Sequence, residues 1–161
     1  SMIDYIDSLQ RKNAETLSFY PRQVFEREQE KGRLFLGMLN GEPCGYLYVG
    51  AAGRSTKCHQ VCIQYDARRR LYGAVLVAVM EKYAEDGGSV SISLRCGFDL
   101  DANDFWKSLG YVCVAHHAGG VRRDGHAARR NDVRRCHWVT NDVLLLSERA
   151  QGNAFPVDSR T

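Results

Sequence analysis

No stretch of the 161 residues approaches the run of about 18 consecutive apolar side chains that a membrane-crossing helix requires. No charged and then apolar leader opens the chain, so no secretory signal is expected, and Ser1 ahead of Met2 reads as an addition before the natural start. No internal repeat is present, which sets solenoids and propellers aside. None of the six cysteines (Cys44, Cys58, Cys62, Cys96, Cys113, Cys136) sits in a CxxC pair. Five of them lie in or beside strand-like apolar segments, which fits buried free thiols in a reducing cytoplasm better than a disulfide framework. A zinc site would need cysteine and histidine to converge by folding, so no metal is expected from the spacing. What is present is enough chain for one domain with a real core, 44% of it apolar and 25% charged. A single domain is expected over residues 3–147, with a flexible tail over 148–161 that has no periodic pattern.

The most informative stretch is VCIQYDARRRLYGAVLVAVMEKYA, residues 61–84. A short strand pattern runs into a turn holding Arg68, Arg69 and Arg70, Gly73 follows, and apolar residues then recur at Val75, Leu76, Val79, Met80 and Tyr83. Strand, basic glycine-containing turn and helix together make an anion cradle. The first amides of a helix lack internal acceptors, the helix dipole adds partial positive charge, and arginines add full charges beside them.

Around that stretch the chain divides simply. Residues 3–31 read as two short helices around Pro21, and 33–40 as a strand. Asn40-Gly41 is a hairpin turn, and Pro43 to Val49 the return strand. Residues 51–57 read as a polar loop and 58–64 as the next strand. The helix over 73–85 stops at Gly87-Gly88. Val90, Ile92, Leu94 and Cys96 alternate along a strand, and an aspartate opens the short helix of DANDFWKSLGY, which closes on Gly110. Strands follow at 111–117 and 133–140, separated by a glycine- and arginine-rich loop. This order predicts an α/β fold: a mixed, mostly antiparallel twisted sheet of about six to seven strands with helices on both faces.

The layout and three local patterns resemble the GCN5-related N-acetyltransferase (GNAT) superfamily. The family's Gln/Arg-x-x-Gly-x-Gly/Ala turn is matched by Arg68-x-x-Leu71-x-Gly73, with Leu71 where the first glycine usually stands. The family's Asn-x-x-Ala-x-x-Phe-Tyr-x-x-x-Gly-Phe segment is matched by Ala102, Phe105, Gly110 and Tyr111. Asp99 takes the place of the asparagine, with Asn103 one turn on, and Trp106 takes that of the tyrosine that protonates the departing thiolate. Residues 19–49 are similar to the family's acceptor-side helices and first hairpin. The resemblance implies acyl transfer from acetyl-CoA to an amine, from a small molecule or a protein. It implies that amides of Arg69, Arg70, Leu71, Tyr72, Gly73 and Ala74, with Arg68, hold the pyrophosphate. The strand edge Val61, Cys62 and Ile63 pairs with the pantetheine amides and aims N–H at the thioester oxygen, and Asn103 and Trp106 complete the cofactor site. The acceptor amine must lose a proton, and His59 or His117 is the expected base. Tyr65 and Tyr72 are the remaining acid candidates. GNAT proteins often dimerise through their last strands, so a homodimer is expected.

Net charge is only +3, yet residues 111–140 carry six arginines against two aspartates, which leaves the rest of the chain at −1. Arg122, Arg123, Arg134 and Trp138 combine charge with a stacking surface and are the expected substrate contacts. Three functions compete on this basis. The first is an N-acetyltransferase for an amine. The second is a nucleic-acid base-modifying enzyme of the phage Mom type, engaging DNA through the basic 118–135 segment. The third is a catalytically silent acyl-CoA-binding or interaction module.

Overall fold

The computed structural model describes residues 1–68, 72–118 and 134–140. The chain order is α1 (Met2–Lys12), α2 (Arg22–Glu30), β1 (Leu34–Leu39), β2 (Glu42–Val49), β3 (Ser55–Ile63), α3 (Tyr72–Asp86), β4 (Ser91–Gly97), α4 (Ala102–Ser108), β5 (Val112–His117) and β6 (Arg135–Thr140), with a single 3-10 turn at Tyr65–Ala67 between β3 and α3. The six strands form one sheet in the order β1-β2-β3-β4-β6-β5. Every neighbouring pair is antiparallel except β3 with β4, which α3 connects.

Local chemistry explains most boundaries. Ser1 caps α1: its hydroxyl accepts from the Asp4 amide at 3.2 Å and donates to the Asp4 carboxylate at 2.7 Å. The β1–β2 hairpin turns on Asn40 and Gly41, both left-handed at φ 51° and 82°. α3 stops where Gly88 turns left-handed. β3 starts at Ser55, inside the expected polar loop, because Ser55, Thr56, Lys57 and Cys58 find partners in Ser91 to Leu94 of β4. Asp101 precedes α4 but makes no side-chain cap, contrary to expectation.

The sheet separates two cores. On one face α3 and α4 bury Leu47, Val49, Cys58, Leu76, Met80, Ile92, Leu94, Trp106 and Trp138. On the other, α1 and α2 bury Ile6, Phe25, Tyr46, Tyr48 and Cys62. Leu76 and Met80 face the sheet as expected, whereas Val75 and Val79 are exposed, and Val77 and Ala84 take the buried positions beside them. α1 and α2 pack on the β1–β3 half of their face, and among the described residues Arg95 of β4 and Val112 of β5 are exposed on the other half.

Two register slips matter for the site. Tyr48 pairs with Gln60 but Val49 with Cys58, so His59 is an extra residue in β3. Cys113 pairs with Trp138 but Ala115 with His137, so Val114 is extra in β5.

Candidate active site

β3 and β4 run side by side only through Cys58↔Leu94. Beyond that point β3 continues along β2 to Ile63, and β4 continues along β6 to Gly97. The parallel pair therefore splays into a wedge-shaped gap, and His59 is the first residue past its apex. The slip at His59 turns two consecutive side chains toward the α1/α2 face. The His59 ring stacks on Tyr48 at 4.6 Å, and Gln60 accepts from the Tyr46 hydroxyl at 2.8 Å.

Gln60 belongs to a buried polar chain that fixes the α1–α2 connection over the gap. Its amide donates to Gln10 Oε1 at 3.2 Å and to the Ser18 carbonyl. Gln10 in turn clasps Tyr20: its Nε2 donates to the Tyr20 carbonyl at 2.9 Å, and its Oε1 accepts from the Tyr20 amide at 2.8 Å. This clasp sets the Tyr20 hydroxyl 3.3 Å from His59 Nδ1. Across the gap, Arg135 of β6 donates to Ser18 Oγ at 3.0 Å.

Three more basic groups stand on the same face. His117 Nε2 lies 3.3 Å from His137 Nδ1, and Arg95 is the β4 partner of His137. Burial, with Lys57 close by, holds the pKa of His59 below the usual histidine value. Burial, His117, Arg95 and Lys57 do the same to His137. Burial pushes the Tyr20 phenol upward. The arrangement therefore favours the neutral forms of His59 and His137, beside the gap where the pairing of β3 with β4 has ended.

On the other face, α3 begins at Tyr72, and the amides of Tyr72, Gly73 and Ala74 fall in its first turn, where no intrahelical acceptor exists. No acidic side chain occupies that turn to compete for them. Gly73 also packs closely on α4, since a Cβ there would stand 3.3 Å from the Phe105 ring. Helix start and gap together suit an elongated ligand with an anionic end and amide groups along its length, which fits a CoA thioester.

Sequence and structure part company at several residues. Trp138 is 7% exposed, and its Nε1 donates to Asn103 Oδ1 at 2.9 Å, so it is core and offers no stacking surface for a base. Asn103 spends its amide on the carbonyls of Gly97, Phe98 and Leu100, closing the loop before α4 rather than facing a cofactor. Trp106 is 5% exposed between Phe105 and Tyr111, which removes it from the ligand surface. The Arg68 guanidinium turns toward α1, donating to the Ile63 carbonyl at 3.0 Å and to Asn13 Oδ1. The Cys62 side chain points into the α1/α2 core, while Val61 and Ile63 pack on the α3 side. Tyr65 is exposed beneath Arg68. Arg134 is exposed where β6 begins. Arg69, Arg70, Leu71, Arg122, Arg123 and the 148–161 tail lie outside the described residues.

The fold brings His59 and His117 onto one face with Arg135 of the basic 118–135 segment, and adds Tyr20 and His137, which the sequence did not single out. Only the tertiary structure joins Tyr20 to His59, since they are 39 residues apart.

Residues 2–111 match the family described as Acetyltransferase (GNAT) family. No curated protein matches the chain in sequence. In three dimensions the chain is similar to Ard1 from Thermoplasma volcanium, with TM-score 0.71 and 15% identity over 86% of this chain and 90% of that one. It is also similar to the ribosomal-protein-S18-alanine N-acetyltransferase from Escherichia coli, with TM-score 0.66 and 13% identity over 85% of each chain. A third similar structure is Rv2747 from Mycobacterium tuberculosis in complex with CoA, with TM-score 0.68 and 11% identity over 87% of this chain and 93% of that one.

Proposed function

The chain belongs to the acetyltransferase (GNAT) family and is an acetyl-CoA-dependent N-acetyltransferase, and we propose that its acceptor amine enters from the α1/α2 face and loses its proton to His59 through the Tyr20 hydroxyl. The Tyr20–His59 contact at 3.3 Å beside the apex of the gap carries this reading. Acetyl-CoA supplies an acyl group on a thioester, whose carbonyl oxygen gains negative charge as the amine attacks. The amides of Tyr72, Gly73 and Ala74 would hold the anionic end of CoA. The β3 edge at Val61–Ile63 would hold its amide-bearing arm.

On the acceptor side, the chain's own residues manage one proton. The Tyr20 hydroxyl donates to His59 Nδ1 and accepts from the amine, so the amine proton passes to Tyr20 as the tyrosine proton passes to the imidazole. Lys57, Arg95 and Arg135 make the surroundings cationic, which favours the neutral, nucleophilic form of an incoming amine, while burial first and Lys57 second favour neutral His59. The same collar sets the substrate class. A polycationic acceptor is repelled, whereas an amine on a molecule with neighbouring carboxylates or phosphates is drawn in. Among protein acceptors this favours an acidic N-terminal segment.

The test is CoA release from acetyl-CoA with three acceptors: an N-terminal peptide rich in glutamate, one rich in lysine, and an aminoglycoside. The acidic peptide is expected to give the highest kcat/KM, with the preference shrinking as salt rises. Equal rates, or a preference for the aminoglycoside, would overturn the acceptor assignment. Exposed Val112 and Val114 on the edge strand β5 support a homodimer through the last strands, which light scattering would detect.

A further inference from the structure

Three soft donor groups meet on the α3/α4 face of the sheet, and the acyl-transfer site uses none of them. Sγ of Cys113, a ring nitrogen of His116 and Sγ of Cys136 all lie within 4.8 Å of one another. Their assembly depends on a backbone irregularity. Residues three apart in a regular strand face opposite sides, but the slip at Val114 puts Cys113 and His116 on one side. Cys136 of β6 is the direct partner of His116, and Cys96 of β4 is the direct partner of Cys136, so thiol, thiol and imidazole stand in one row across three strands. Cys136 is buried, Cys113 half-buried and His116 exposed, so the cluster opens to solvent on one side only. The Phe98 ring meets His116 edge-on at 5.7 Å and steadies it.

We propose that Cys113, His116 and Cys136 form a binding site for a borderline-soft divalent transition metal, zinc by the nature of the ligands, with the fourth position open to water. Two sulfurs and an imidazole nitrogen suit zinc and disfavour magnesium and calcium, which take oxygen ligands. A tetrahedral zinc with Zn–S about 2.3 Å and Zn–N about 2.0 Å puts its donors roughly 3.5 Å apart, so the trio must draw together by about 1 Å. Rotation of the exposed His116 and half-buried Cys113 side chains would bring the donors closer. Binding releases two thiol protons, and the two thiolates neutralise the ion, so no net charge is added beside the core. The ion would tie edge strand β5 to β6, next to the end of β4 that borders the gap.

The reduced, chelator-stripped protein is titrated with cobalt(II), using the natural chain and the variants His116→Ala, Cys113→Ser and Cys44→Ala. The natural chain is expected to take up one equivalent, giving thiolate-to-cobalt charge-transfer absorption and the ligand-field bands of a tetrahedral ion, both abolished by zinc. His116→Ala, a change at an exposed side chain that leaves the fold intact by circular dichroism, should weaken binding about tenfold or more. Cys113→Ser should lower the charge-transfer intensity, and Cys44→Ala should change neither. Absence of the charge-transfer band at one equivalent would overturn the site, as would a band unaltered in both His116→Ala and Cys113→Ser.

Discussion

His59 stands where β3 leaves β4, with Tyr48 stacked on its ring and the Tyr20 hydroxyl at its Nδ1. Replacing it by glutamine removes the proposed proton acceptor and keeps a polar group of similar reach. kcat should fall about 100-fold, as expected for loss of a general base, while KM for acetyl-CoA stays put. Tyr20→Phe should cost less, because water can replace the hydroxyl as relay. The pH profile gives an independent check. Burial and Lys57 hold the His59 pKa down, so the neutral form persists further into acid, and the acid limb of kcat/KM should fall below the usual histidine value of about 6.5. A limb above that value would remove His59 from the role. At this scale the sequence was only partly readable. His59 and His117 were expected as bases because few groups can accept a proton, and it is long-range packing that sets Tyr20 and His137 beside them. Trp138 was misread because the alternation of Cys136, Trp138 and Thr140 shows that one face of β6 is buried without showing which helices cover it.

The elements hold the site through close approaches and one polar chain. A Cβ on Gly45 of β2 would lie 2.6 Å from the Cys62 carbonyl oxygen and 2.7 Å from Ile63 Cδ1. Gly45→Ala should therefore push β2 away from the gap-side half of β3, at about 1–3 kcal/mol by urea unfolding. Gln10→Ala leaves the Tyr20 backbone and the Gln60 amide short of partners. It should lower stability by about 1–3 kcal/mol and reduce kcat as well, since Tyr20 loses its anchor. A variant with full stability and full kcat would show that the clasp is dispensable. Element order was legible because its signals are local: Asn40-Gly41, Gly87-Gly88 and Gly110 mark chain reversals that depend on their own backbone chemistry. The two register slips were not legible. An extra residue such as His59 or Val114 leaves composition and period almost unchanged over so short a strand, yet each decides which side chains share a face. The meeting of Cys113, His116 and Cys136 depends on the second slip, which is why cysteine spacing alone gave no sign of it.

For the whole molecule, a ligand that binds only the folded state raises its stability by mass action. Acetyl-CoA at about 100 times Kd should add about 2.7 kcal/mol, a rise in Tm of roughly 5–10 °C for a chain of this length. Duplex DNA at the same ionic strength should give no comparable rise, since the one tryptophan expected to stack on bases is core. A larger, salt-sensitive rise with DNA would revive a nucleic-acid acceptor. Fold class could be anticipated at this scale because alternation and helix stops together allow few topologies. The gap was not visible in sequence, being a place where pairing ends. Only four Cα pairs, Ser55 to Cys58 with Ser91 to Leu94, join β1–β2–β3 to β4–β6–β5 across the sheet. The core under α3 spans that seam, with Leu47, Val49 and Cys58 on one side and Ile92, Leu94 and Trp138 on the other, so the strand ends beyond the seam, rather than the two halves as units, should open first in amide hydrogen exchange. A bound acyl donor lying in the gap and bonded to the β3 edge would act as a surrogate strand, so exchange at the gap-side end of β3 should slow when it binds.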